Sequence, residues 1–530
     1  MKYAFFLIGI ILFIIFLPWL DFSKTLSAGD WPYLYPQNIK AFSFPLSPPF
    51  LWVETYYDLT AKLGLQVFHL PWEVIERLFW FFPFLALSVY SSWVFAKRFL
   101  KNNPFASLCI LIFTTNTYIL MMTGGGQMGV AIAYALAPLV FSSLFNMLEV
   151  AYQKNLKKLG LLALLLGVQL MFDPRIFLIT IFSFFIVFFI YSFMQKKSVF
   201  VPLKFGAIVF LGALLLNLFW IFPNLFFFQS EYAIVNSAIT VTFYSFANFS
   251  NAIGLLQPNW PENLFGKVYF MRPEFLFLPV LAFSSLFFLS KLKKGQMIIP
   301  FAMLGLVGIF LSKGTNPPFG ELYLVFSKLP GSTLFRDPTK FYILIILSYM
   351  LLIPLSLEMI LQKVSKSRPI FSILYSLFLL FWLFTIRQAA WHQLTGTFMP
   401  QAVPTQYKIL NNFLEKKPQA TLWIPSYQRF GINTKQNPAY EGSQILDATN
   451  SAQLLSIFKT PKAQKTLVEN NVAYIIVPFD SRHEIYLNDN KYDPTSKFDI
   501  IAKLKTFSWL EEVTEVDPSK KIIIFAVKKE

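Results

Sequence analysis

Cysteine is nearly missing from this chain: Cys109 stands alone, inside an apolar run. That excludes an intramolecular disulfide and a thiolate metal cluster. Histidine is scarce too, and His69, His392 and His483 are scattered, so no HExxH spacing exists, nor any CxxC or acidic calcium-loop pattern. A divalent ion could be held by carboxylates alone, but no spacing points to one. Charged residues make up only 14% of the chain and are almost lacking in mid-run. This disfavours an ion pump or proton-coupled transporter, whose pathway needs ionisable groups near the bilayer midplane. No repeat with a period of roughly 20 to 50 residues is present, and no low-complexity segment.

What the chain has in quantity is apolar surface: 55% of its 530 residues are hydrophobic and 18% aromatic, with a mean hydropathy of +0.54. A soluble domain does not need this much, so the composition predicts a membrane protein. The formal charge of +17 does not point to nucleic acid. Its basic residues sit in short clusters between apolar runs, the pattern of loops held on the cytoplasmic side.

Runs long enough to cross the hydrocarbon core occur at 3–20, 74–96, 105–122, 128–150, 157–172, 175–193, 203–226, 274–290, 297–312, 340–361 and 369–387. They predict about eleven transmembrane helices, the first read as an uncleaved helix rather than a signal peptide. Pro83, Pro138, Gly167, Gly212 and Pro354 fall inside them, as packed membrane helices tolerate. The basic clusters are Lys97, Arg98 and Lys101; Lys154, Lys157 and Lys158; Lys196 and Lys197; Lys291, Lys293 and Lys294; and Lys363, Lys366 and Arg368. They occupy every second loop, which predicts a cytoplasmic N-terminus and an extracytoplasmic C-terminus. The remaining loops, 21–73, 123–127, 172–175, 227–273 and 313–339, then hold the polar chemistry on the outer face.

Beyond residue 387 the long apolar runs stop. Short β-branched stretches at 421–425, 472–478 and 521–527 alternate with helical patterns near 405–417, 461–470 and 495–506, predicting a small soluble α/β domain over 388–530. Residues 1–387 form the transmembrane domain in this reading.

The first outer loop offers Asp21, Asp30, Glu54 and Asp58. Asp30 stands out for its setting: Gly29 permits unusual backbone geometry, and Trp31, Pro32, Tyr33 and Tyr35 are rigid or amphipathic groups of the kind that line sugar sites or the bilayer interface. A solvated carboxylate on an interfacial loop is the plainer alternative. "FDPR" sets Asp173 and Arg175 at the start of a run, and "LFRDPTKF" does the same with Arg336, Asp337 and Lys340. Such cations can grip a lipid-linked phosphate, or simply neutralise their neighbouring Asp and snorkel to headgroups. "TGGGQ" at 123–127 reads as a tight turn between helices, since it lacks the spacing of a phosphate-binding loop.

A first helix followed by an outer-loop Asp, many spans and an outward C-terminal domain together resemble the GT-C superfamily of membrane glycosyltransferases. The stretch "SKGTNPPFGELYLVFSKLPGSTLFRDPTKF", residues 312–341, is similar to a segment of members related to mycobacterial arabinofuranosyltransferases and to YfhO-like lipoteichoic acid glycosylation proteins. The resemblance implies a polyprenyl-phosphate sugar donor, an acceptor glycan, lipid or protein of the cell envelope, and transfer at the outer face with inversion. It also implies Asp30 as the catalytic carboxylate, with Asp21 its rival, and Arg336 with Lys340 toward the donor phosphate; Arg175, suited to a phosphate by its own chemistry, is a further candidate there. Trp31, Tyr33, Asp173 and Asp337 are then candidate substrate contacts. The chain has no paired Asp-Asp or Asp-Glu after its first helix and no WWDYG motif, which disfavours protein N-glycosylation. A flippase for lipid-linked sugars and a non-catalytic envelope scaffold are the alternatives from other classes.

Overall fold

The third apolar run does not form one helix. Asn116 interrupts it, leaving Leu108–Thr115 and Thr117–Gly124. Its side chain accepts from Ile119 N at 3.1 Å and donates to the carbonyls of Ile112 and Phe113 at 2.9 Å, so one short amide satisfies the backbone groups that the break sets free. Asn217 does the same in the run at 203–226. There it separates Phe200–Leu216 from Leu218–Phe226 and donates to Gly167 O at 3.1 Å and Ala213 O at 2.8 Å.

These breaks divide two of the eleven runs read as spans. In the computed structural model, which is mostly helical, five helices among the described residues are long and apolar enough to cross a membrane: Trp72–Phe99, Met128–Asn146, Pro174–Met194, Pro338–Val364 and Arg368–Thr385. Ala4–Leu20, Phe200–Leu216, Pro273–Phe287 and Ile298–Ser312 are apolar but shorter. The described residues are 2–35, 52–101, 103–147, 155–226, 237–258, 272–291, 295–329, 331–364, 367–448, 451–478, 494–514, 516 and 521–528. Lys154, Lys293, Lys294, Lys366 and, of the 227–273 loop, residues 227–236 and 259–271 lie outside them.

The chain divides into two units. The first holds Met1–Leu20, a stretch ending at Tyr57, and Arg77–Phe398. Its central helix is Pro338–Val364, 89% buried over its most apolar window, against 28% for the peripheral Arg368–Thr385. Ile298–Ser312 packs on the central helix, and Phe82–Phe99 packs on Met128–Asn146. Cys109 is buried here, its thiol donating to Met350 O at 2.9 Å. A Cβ on Gly320 would stand 1.9 Å from the Thr315 carbonyl oxygen, so this close approach admits only glycine.

The second unit holds a stretch beginning at Asp21, Asp58–Glu76 and Met399–Glu530. Its sheet contains β1 (Ala420–Trp423), β2 (Ala439–Glu441), β3 (Val472–Val477), β4 (Leu510–Glu512) and β5 (Ile523–Val527), in the order β2-β1-β3-β5-β4. β1 runs parallel to β2 and β3, whereas β5 is antiparallel to β3 and β4. Alternating side chains divide between the two faces. Leu422, Ile475 and Phe525 meet Leu454, Phe458, Leu467 and Leu504 on one, and Trp423, Ile476 and Ile524 meet Tyr407, Leu410 and Leu414 on the other. The three longer β-branched stretches predicted β1, β3 and β5; β2 and β4 are three residues each and carry no comparable apolar signal.

Candidate functional site

Two helix starts in the first unit are built alike. Asp173 caps Pro174–Met194, its Oδ1 accepting from Arg175 N at 2.8 Å and Ile176 N at 3.0 Å, with Pro174 in the first turn. Asp337 caps Pro338–Phe341 in the same manner, accepting from Thr339 N at 3.0 Å, again with proline next. An Asp cap followed by proline suits a helix N-terminus because the cap satisfies a free N–H and proline needs none. Each cap also binds its own cation: Arg175 Nη2 lies 2.6 Å from Asp173 Oδ2, and Lys340 Nζ 3.2 Å from Asp337 Oδ2.

The fold brings the two caps together although Asp337 lies 164 positions after Asp173 (337 − 173). Arg175 feels Asp337 as well as Asp173, and Lys340 feels Arg175 and both carboxylates. Gln127, from the "TGGGQ" turn that joins Thr117–Gly124 to Met128–Asn146, accepts from Lys340 Nζ at 3.1 Å. Tyr118 completes the cluster. It is fully buried, is influenced by Asp337, Asp173 and Arg175, and its hydroxyl has no hydrogen-bond partner among the described residues.

Exposure separates the cations. Lys340, expected to face a phosphate, is 2% exposed and closed in by Asp337, Gln127 and Met122. Arg175 keeps 32% of its side-chain surface open. Arg336 is exposed and lies over the Tyr244 ring, 5.7 Å from its centroid. Arg175 and Arg336 are thus the groups a dissolved or lipid-borne anion can touch, while Lys340 contributes charge from within.

Asp30, Asp21, Trp31 and Tyr33 belong to the second unit. The turn that carries Asp30 uses Gly29 at φ +57°, a left-handed conformation that favours glycine. Thr25, Leu26, Ser27, Ala28 and Trp31 are buried, and Asp30 is exposed. Trp31 is therefore not a surface for a sugar. It is 4% exposed, stacks on Trp72 at 5.9 Å and donates its indole N–H to Glu76 at 2.9 Å. Tyr33 and Tyr35 are half-buried, and burial raises both phenols well above their ordinary value, Tyr33 with help from Glu73.

Asp21 is engaged by its own neighbours. Ser23 Oγ donates to it at 2.6 Å and Lys24 lies 3.2 Å away, and these contacts hold its carboxyl below the usual range, Ser23 first. A lowered pKa makes a poorer proton acceptor. Glu54 is exposed, and Asp58 pairs with Lys62 at 2.5 Å within one helix.

Sequence reasoning missed Glu76 and Arg429. Glu76 is fully buried and accepts from Leu26 N at 2.8 Å as well as from Trp31. It had been absorbed into an apolar run, although a carboxylate at the head of such a run is costly unless paired, and that cost was the available signal. Arg429, in the C-terminal sequence, had no local signal. Among the described residues no group of three or more His, Cys, Asp or Glu gathers as metal ligands. No family model matches this chain and no curated protein matches it.

Proposed function

We propose that the protein is a membrane glycosyltransferase that moves a sugar from a polyprenyl-phosphate donor to an envelope acceptor at the outer face, with Asp30 as general base. One observation above all supports the reading: two Asp-Pro helix starts converge with their cations, leaving Arg175 and Arg336 accessible and Lys340 behind them. A monoanionic or dianionic phosphate fits that arrangement because a guanidinium binds it through two parallel hydrogen bonds. The apolar helices around it suit a donor anchored in lipid.

The chemistry needs little more. Asp30 takes the proton of the acceptor hydroxyl as its oxygen forms a bond to the anomeric carbon. The bond from that carbon to the phosphate oxygen breaks, and its electron pair leaves with the phosphate. Attack opposite the leaving group inverts the anomeric centre, through an oxocarbenium-like transition state of the kind seen in glycoside hydrolysis. Arg175, Arg336 and Lys340 stabilise the charge growing on the phosphate. Asp30 is preferred to Asp21 because Ser23 and Lys24 hold the Asp21 carboxyl below the usual range, which makes it the poorer proton acceptor.

The test is transfer of labelled sugar from a panel of polyprenyl-phosphate donors by the full chain in nanodiscs, with Arg175→Gln and Arg336→Gln alongside. Transfer that weakens in both variants, chiefly through donor KM, supports the reading. Movement of the donor between leaflets without transfer would replace it with transport.

A further inference from the structure

We infer that Arg429 and Glu76 are positioning residues that clamp the backbone on both sides of Asp30, which gives the C-terminal sheet domain a part in catalysis. This rests on the reading of Asp30 as base. Every contact lies within the second unit.

The loop from Thr25 to Trp31 is fixed at nearly every residue. Thr25 pairs with Gln401 through two backbone hydrogen bonds of 3.0 Å, and Gln401 Nε2 donates to Ser27 O at 2.9 Å. Glu76 holds Leu26 N and the Trp31 indole, while Trp31 N closes the turn onto Ala28 O at 2.9 Å. Arg429 supplies the remaining fixture: its guanidinium donates to Gly29 O at 2.8 Å and to Trp31 O. Those are the carbonyls of the residues immediately before and after Asp30. Beside Arg429, Phe430 receives a hydrogen bond from Tyr35 at 3.1 Å and packs against Tyr33.

A solvated loop needs none of this. Burying a carboxylate is unfavourable unless its oxygens are filled by donors, and Glu76 is filled by donors from the loop itself. A guanidinium suits the opposite side because its planar fork reaches two carbonyls at once, which a lysine ammonium does not reproduce. In a segment where residues 25–28 and Trp31 are buried, the exposed residue is the acid. Preorganisation of this kind matters to catalysis, since a displacement of about 1 Å can cost roughly 100-fold in rate.

The experiment uses the full chain in nanodiscs with two readouts. A nitroxide is placed at position 30 (Asp30→Cys in a Cys109→Ala background) and, as control, at Lys462. Its mobility is compared with and without Arg429→Gln or Glu76→Gln. Separately, Arg429→Gln and Arg429→Lys, with Asp30 intact, are assayed for transfer. The clamp predicts faster motion at position 30 alone, a kcat lowered about 10- to 100-fold with donor KM unchanged within about twofold, and only partial recovery in Arg429→Lys. Unchanged mobility at position 30 overturns it, as does increased mobility with undiminished kcat. Should Glu76→Gln fail to fold, Arg429→Lys is read in both assays and decides. If the wild type transfers no sugar, the positioning role falls with the function proposed for Asp30; the nitroxide then tells that outcome, with the loop still clamped, from a failure of the clamp itself.

Discussion

Acidic side chains are used in opposite ways in the two units. In the first, Asp173 and Asp337 cap helices and pair with Arg175 and Lys340, so the carboxylates are engaged while Arg175 stays partly exposed. In the second, a fully buried carboxylate, Glu76, holds the loop, and the exposed acid is Asp30. The comparison teaches that a buried acid organises its loop, while Asp30 stays exposed on a backbone held from both sides. It also separates two motifs that look alike in sequence, each an Asp beside Pro or an aromatic residue.

Removing the organising acid breaks the comparison most severely. Glu76→Ala leaves the Leu26 N–H and the Trp31 indole buried without an acceptor, at about 1–3 kcal/mol each. Thermal unfolding monitored by proteolysis within residues 399–530 should show the second unit destabilised. In the first unit, Gly320→Ala forces a Cβ against the Thr315 carbonyl and should cost about 1–3 kcal/mol as overpacking, seen as a lower unfolding temperature in detergent. Asp173→Ala loses a cap worth about 1 kcal/mol and frees Arg175; the expected sign is lower stability together with tighter binding of inorganic phosphate.

The smallest effect is a pH dependence. Tyr33 and Tyr35 have phenol pKa values raised by burial from an ordinary 10.0, so the folded state keeps their protons where the unfolded chain loses them. Their stabilising contribution is complete below pH 10 and declines as pH rises above it. Alkaline unfolding followed by phenolate absorbance should begin earlier in the wild type than in Tyr35→Phe.

Much of the fold was legible because apolar runs and β-branched stretches are local signals. β1, β3 and β5 and the helices Thr405–Lys416 and Pro461–Glu469 lie where periodicity predicts them. Asn116 and Asn217 were not legible as breaks, since one amide in a long apolar run barely alters its hydropathy, yet its hydrogen bonds redirect the backbone. The two Asp-Pro-cation motifs were visible singly, but their meeting depends on packing between helices whose caps are 164 positions apart in sequence (337 − 173). The role of Arg429 was invisible for the same reason, since it acts on a residue 400 positions away; Glu76 carried one local signal, the cost of a carboxylate in an apolar run.

The most direct test of the account is sugar transfer by Asp30→Asn beside Asp21→Asn, both as full chains in nanodiscs with a donor the wild type accepts. The account predicts that Asp30→Asn loses about 10²- to 10⁴-fold in kcat, the range of a general base, while Asp21→Asn, which gives up only an exposed pair, stays within about twofold. An active Asp30→Asn, or the reverse ranking of the two variants, would contradict it.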